Sequence, residues 1–305
     1  SIITILGMLE MSKILTYLGN RLTTLLFSFL IFLSFILLSF GQGSFIIILA
    51  FILCFISTNF LFASLDIFIE DFSKNYTVGA LRGFYLMIIN GAWVIAQIIS
   101  GSIIAKSSFR DVYLLSALFM MLVSIIFILF LRDFQDPKYK KAPIRKTITS
   151  FFQKKNLSKI YFINLILKFF FAWMIIYTPI YLHEYIGFGW DKIGIIFTIM
   201  LLPFVLFDLW LGELSDKMGE KKILNIGFLI SGLFTLIIPF VLEPKLWLWA
   251  GILFMTRVGA AAIEVMSESY FFKIVNKEDA ETVTFFRNTT PLSFLIGPLL
   301  AIPIL

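Results

Sequence analysis

Three ionisable residues stand inside the apolar stretch 246–271: Arg257, Glu264 and Glu268, spaced by 7 and 4. On a helix, at 100° per residue, they point within about 40° of one another. A rise of ~10 Å separates Arg257 from Glu264, too far for direct contact on a straight helix. A charge at the bilayer centre costs about 2.5–3.5 kcal/mol on insertion scales, so each of these groups needs a reason to be there. One reason is chemistry along a polar pathway, with Glu264 carrying a proton and Arg257 binding an anion or tuning a neighbouring pKa. The other is a static pair with a neighbouring helix. Both readings stand for Arg257 and Glu264; for Glu268, close to basic loops, pairing is favoured. Lys168, one turn beyond Asn164, either lines the same pathway or snorkels to the membrane surface. Asp208 lies two turns before Asp216 and reads as a gate-network member or an interfacial charge. Asp66 and Glu70 form a second carboxylate pair, expected to meet Lys or Arg of adjacent loops, with Asp66 kept as a pathway candidate beside Asn59. Arg287 is expected to partner Asp216 or Glu268.

The elements that must position these residues are membrane helices. Of the 305 residues 60% are apolar and only 14% charged, with a mean hydropathy of +0.97. A soluble core cannot hide that much apolar surface, and disorder needs the opposite composition. About 20 apolar residues cross the hydrocarbon core. Ten such stretches are expected, at 1–15, 22–41, 44–66, 79–105, 112–132, 160–186, 192–213, 223–242, 246–271 and 282–305. The first is short and the last runs to the final residue, so both ends read as truncated. The runs are too long and unbroken for a membrane β-barrel.

Charge placement orients the chain. The segment 132–159 holds nine basic and two acidic residues, a balance of +7 against +6 for the whole chain. By the positive-inside rule it is cytoplasmic, and alternate loops follow it. That side then carries 18 Lys and Arg, the opposite side four, and three (Lys168, Arg257, Arg287) fall within helices. The basic excess is therefore an orientation signal and a contact for anionic headgroups, not a nucleic-acid surface. Trp190, Trp247 and Trp249 fall at the expected outer boundaries, as interfacial anchors do.

The two halves repeat. Residues 16–21 fall on 216–221 at an offset of 200, and Asp66 and Glu70 fall on Glu264 and Glu268 at 198. Parallel repeats flanking a central site are a recurring transporter plan. The sharpest motif is Gly212-Glu-Leu-Ser-Asp216-Lys217-Met-Gly219-Glu-Lys221-Lys222. Gly212 permits close helix approach and Gly219 a tight turn. Asp216 is suited to cap a helix or pair with a cation, and the lysines face headgroups. This resembles the cytoplasmic loop signature of the major facilitator superfamily, Gly-x-x-x-Asp-Arg/Lys-x-Gly followed by basic residues. The first-half copy departs from it, with Ser12 at the first Gly and Thr16 at the Asp. Gln97 stands at the proline of a Gly-Pro motif found in exporters of that family, while Gly297-Pro298 occurs in the second half. Asn59 stands where the family often has an Arg in helix four, and Arg257 occupies the repeat-related place.

The resemblance implies an all-α, polytopic, two-bundle membrane fold, with ten helices present of twelve. Residues 1–132 would form the N-terminal bundle (helices two to six), 133–159 the basic cytoplasmic loop, and 160–305 the C-terminal bundle (helices seven to eleven). The expected activity is secondary transport of a small-molecule substrate by alternating access, with proton coupling through Glu264, in the inner or plasma membrane. The rival is a non-transporting sensor or scaffold on the same fold. No cofactor, metal or oligomer is called for. Cys54 is the only cysteine and His183 the only histidine, so a metal cluster has no support. No catalytic triad order or phosphate loop occurs, which argues against an enzyme.

Overall fold

The computed structural model describes residues 2–72, 78–132, 134, 136, 144–275 and 280–301. In chain order the helices are α1 (Ile2–Leu9), α2 (Met11–Phe40), α3 (Ser44–Phe72), α4 (Val78–Lys106), α5 (Phe109–Phe130), α6 (Ile144–Gln153), α7 (Lys155–Glu184), α8 (Trp190–Met218), α9 (Glu220–Ile237), α10 (Leu246–Ile274), α11 (Ala280–Arg287) and α12 (Thr289–Ala301). Among the described residues, eight helices are long and apolar enough to cross a membrane. In hydrocarbon every backbone N–H and C=O must be satisfied within the protein, which is why such runs become helices. Their outer faces carry large exposed apolar side chains such as Phe45, Phe119, Phe130, Leu229 and Leu236. Much of the 60% apolar composition is therefore surface meant for lipid.

The chain packs as two compact units. The first comprises Ser1–Phe72, Ala96–Lys154 and Val275–Pro291. In it α2 lies along α3 and α5, and α11 packs on α1, α2, α3 and α6. Its core joins Met8, Met11, Leu15, Phe27, Phe60, Ala63 and Ile67. Phe27 and Phe60 stack with ring centroids 4.4 Å apart. α2 breaks at Gly19 (φ 75°, ψ 164°), a conformation open to glycine at no steric cost. α6 lies inside the stretch expected to be loop, and Phe151 anchors it, with its ring edge-on to Phe285 at 4.9 Å.

The second unit comprises Ser73–Ile95, Lys155–Ile274 and Leu292–Leu305. α10 is its axis, packing along α7, α8 and α9. Sixty-one per cent of its apolar window is buried, against at most 39% in any other span, which marks α10 as the helix with least access to lipid. Gly227 and Gly259 let α9 and α10 meet backbone to backbone, the small-residue contact that membrane packing favours. Trp190 and Trp247 are exposed at their helix starts, as expected. Trp249 is not an interfacial anchor: it is fully buried and its indole donates to the Glu243 carbonyl at 3.0 Å.

α3 and α10 are both 29 residues long, and their bounds match at an offset of 202.

Candidate functional site

The second unit gathers most of the candidate residues around α10. Arg257, Glu264 and Glu268 are all buried, at 2%, 6% and 1% exposure. The Lys168 ammonium, from α7, donates to Glu264 Oε1 at 2.6 Å. Lys168 therefore does not snorkel; it is turned into the bundle to meet a carboxylate. Arg257 and Glu264 are both on α10 with about 10 Å of rise between them, and Glu264 takes its cation from α7 instead. The Arg257 guanidinium lies 5.2 and 5.3 Å from the ring centroids of Phe170 and Phe171. Its Nε and Nη1 have no hydrogen-bond acceptor among the described residues. Asp208, on α8, is fully buried, and its Oδ2 accepts from Asn90 Nδ2 at 2.9 Å while Oδ1 stays unpartnered. It is buried within the unit rather than an interfacial charge.

The loop motif forms a second constellation at one end of this unit. Gly219 (φ 78°, ψ 155°) turns the chain from α8 into α9. Just before it, Asp216 Oδ1 accepts from the Gly79 N–H at 3.1 Å and Oδ2 from the Ala80 N–H at 2.8 Å. These are donors of the first turn of α4, which no carbonyl of that helix can satisfy. Lys273 Nζ sits 2.8 Å from Asp216 and 2.8 Å from Glu220, bridging both ends of the turn. Ser269 extends the network to Glu220 at 3.3 Å and Ser215 at 2.9 Å. Gly212 is packed against Gly79 and Gly83, so α8 and α4 approach with no side chain between them. Lys217, Lys221 and Lys222 are exposed and stand outside this network.

In the first unit, Arg287 grips Asp66 with two hydrogen bonds, Nε to Oδ2 at 2.5 Å and Nη2 to Oδ1 at 2.9 Å. Asp66, on α3 against which α11 packs, is thus an Arg287 partner within its own unit, beside the Asp216 or Glu268 expected from sequence. Asn59 donates to the Phe55 carbonyl of its own helix at 2.7 Å. In the loop copy, Asn20 N–H donates to Asp136 Oδ1 at 2.6 Å. Thus an acid from the central segment meets the turn whose own sequence has Thr16 in place of an acid. The side chains of Ser12, Glu70 and Gln97 lie outside the described residues. His183 bonds the Phe188 carbonyl at 2.8 Å, a local turn contact.

Several residues escaped the sequence reading. Asn90, Lys273, Ser215 and Ser269 carried no pattern beyond their type. Arg82, 1% exposed with its guanidinium 3.2 Å from the Phe272 ring centroid, falls in sequence among the charges of cytoplasmic loops and helix ends. Gly79 and Gly83 did carry a signal, the small-x-x-x-small spacing of close-packed membrane helices.

A family model described as Major Facilitator Superfamily matches residues 1–193 and 179–304. Over 104 residues the chain is 35% identical to the raffinose permease of Escherichia coli and 34% identical to the melibiose permease of Enterobacter cloacae subsp. cloacae. Each match covers 30% of this chain and 24% of the permease, so the chain matches about a quarter of the length of these relatives. The fold is similar to the crystal structure of a bacterial homologue of the iron transporter ferroportin in an outward-facing state. That likeness has a TM-score of 0.68 at 14% identity and covers 98% of this chain and 80% of the other. The apolar helices make this an integral, multi-pass membrane protein. With the family model matched across both halves, on a fold with the same architecture, the chain belongs to the Major Facilitator Superfamily.

Proposed function

We propose that the chain serves secondary active transport of a small solute by alternating access, with proton coupling through the Lys168–Glu264 pair. The observation that carries this reading is that pair itself: an ion pair of 2.6 Å, both side chains at least 86% buried, inside membrane helices. Taking two charges out of water is costly, and the attraction offsets the cost only while both stay charged. Protonation of Glu264 removes one of them, leaves Lys168 without its counter-charge, and so biases α7 against α10. A group with that property turns a proton into a conformational preference. Arg257, buried with free N–H donors over two phenylalanine rings, is suited to bind an acceptor group of the solute. The permeases named for melibiose and raffinose make a small polar solute the natural cargo class.

The Asp216 contacts supply the second element of the cycle. A carboxylate on the N-terminus of α4, reinforced by Lys273, stabilises one arrangement of α4 and α8 by charge and helix dipole together. In alternating access such a clasp forms in one state and opens in the other. Residues 1–132 and 160–305 would be the two moving bundles. The +7 segment between them would lie on the cytoplasmic face of the inner or plasma membrane, against anionic headgroups. The experiment is flux in proteoliposomes under an imposed pH gradient, comparing the native chain with Glu264→Gln. Loss of pH-driven flux in this variant, and in a Lys168→Gln, Glu264→Gln double variant of near-native stability, supports the reading; full coupling in Glu264→Gln removes Glu264 from the mechanism. A non-transporting scaffold is the second reading, favoured by Thr16 at the acidic position of the first loop. It predicts no solute flux under any gradient.

A further inference from the structure

One cavity of about 610 Å³ opens at the end of the second unit where α7 begins, α8 turns into α9, and α10 ends. Its polar wall includes Lys159, Lys221 and Lys222, with Asn156 and Asn225 beside them. All three lysines are exposed, and among the described residues none is held in an ion pair. The one carboxylate in the wall, Glu220, is already paired with Lys273 at 2.8 Å. Residues 220–222, the first turn of α9, form part of the same wall, and their N–H groups lack acceptors within that helix. The deeper wall is apolar, with Ile163, Leu224 and the fully buried Met266. Cations and amide donors at the mouth above an apolar floor, at the end of membrane helices, describe a receptor for an amphiphile with an anionic head.

We infer that this cavity binds the phosphate headgroup of an anionic phospholipid, with Lys159, Lys221 and Lys222 on the phosphate and the glycerol and acyl root against Ile163 and Leu224. A soluble phosphate shares the head chemistry but would leave the apolar wall unused. The site lies apart from the Lys168–Glu264 pair and the Asp216 contacts on which the transport reading rests, and binding is read without any flux. Its failure is therefore distinguishable from failure of the transport reading.

The test measures binding of phosphatidylglycerol to the full chain in detergent, by native mass spectrometry and by the rise in melting temperature. Phosphatidylcholine and inorganic phosphate are run as separate arms. Phosphatidylglycerol is expected to stay bound and raise the melting temperature, and the other two to do neither. The triple variant Lys159→Gln, Lys221→Gln, Lys222→Gln should weaken binding about a hundredfold, from roughly fivefold for each lysine near a lipid surface. Asn225→Asp, which adds a carboxylate to the same wall, should weaken it as well. It serves as the reading should the triple variant not fold. A control on the surface elsewhere, Lys192→Gln with Lys245→Gln, should keep native binding. Equal binding by the triple variant and by Asn225→Asp overturns the inference, and an equal shift with inorganic phosphate overturns the lipid assignment.

Discussion

Gly19 and Gly219 stand 200 residues apart and hold nearly the same backbone conformation, φ 75° with ψ 164° and φ 78° with ψ 155°. The two turns share a shape but not their electrostatics. At Gly219 the acid comes from the turn itself, as Asp216 on the first N–H groups of α4. At Gly19 the equivalent position is Thr16, and the acid at the turn is Asp136, which accepts from Asn20 N–H. The repeat preserved the backbone that glycine makes possible and moved the charge.

The Asp216 contacts set the first prediction. Asp216→Asn keeps one acceptor oxygen but loses the charge that faces both the α4 N-terminus and Lys273. Loss of a cap of this kind costs about 1–2 kcal/mol. Turnover in proteoliposomes is expected to fall while substrate affinity stays near normal, and the melting temperature should drop modestly. Unchanged turnover would reduce the loop to a membrane anchor.

Gly212 gives a second prediction that separates packing from charge. A Cβ there would meet the Gly79 carbonyl oxygen, with the Gly79 carbonyl carbon and Gly83 Cα both at 3.0 Å. Those neighbours are backbone and cannot rotate away. Gly212→Ala should therefore destabilise by about 1–3 kcal/mol as an overpacked contact. Gly251→Ala, where a Cβ meets nothing within 4 Å, should be neutral or stabilising by up to about 1 kcal/mol. Thermal unfolding of the two variants in one detergent decides it, and equal melting temperatures would show that α4 and α8 separate at little cost.

What was legible in the sequence follows from which interactions leave a local trace. Membrane spans do, because a run of apolar residues has one stable answer in lipid. The turn at Gly219 does, because positive φ selects glycine. The Lys168–Glu264 pair does not: its members are 96 positions apart, and neither spacing nor type says which charge each will meet. The partners of Asp216 were harder still, since two of them are backbone N–H groups that every residue but proline carries. α6 was hidden inside a basic segment, although Ile144, Ile148 and Phe151, at i, i+4 and i+7, give it an apolar stripe of which Phe151 is buried.

The Asp66–Arg287 pair yields a third prediction. Both arms of the guanidinium fork are used, at 2.5 and 2.9 Å, on a carboxylate only 1% exposed. An ammonium cannot reproduce a two-point contact. Arg287→Lys is thus expected to destabilise by about 1–3 kcal/mol through the lost two-point contact, and Arg287→Gln, which also removes the charge facing the buried carboxylate, by about 3–5 kcal/mol. The double variant Asp66→Asn with Arg287→Gln should recover part of that loss. Stability of the four proteins, read by thermal unfolding, gives the coupling between the two residues. A fully functional and stable Arg287→Lys would show that charge alone holds α11 to α3.

The same logic separates structure from coupling at Glu264. Glu264→Gln leaves Lys168 charged and buried, so it should destabilise by about 3–5 kcal/mol as well as abolish pH-driven flux. Lost flux in that variant alone is therefore ambiguous between a missing proton carrier and a weakened bundle. The double variant Lys168→Gln with Glu264→Gln removes both charges from the same volume and should restore much of the stability. If Glu264 carries the proton, flux in the double variant stays insensitive to an imposed pH gradient even though the protein melts near the native temperature. If the pair is only a structural strut, pH-driven flux returns together with stability. Parallel melting curves and gradient-driven flux on three proteins thus assign the pair to coupling or to packing, and a double variant that regains both stability and pH response would exclude Glu264 as the coupling group.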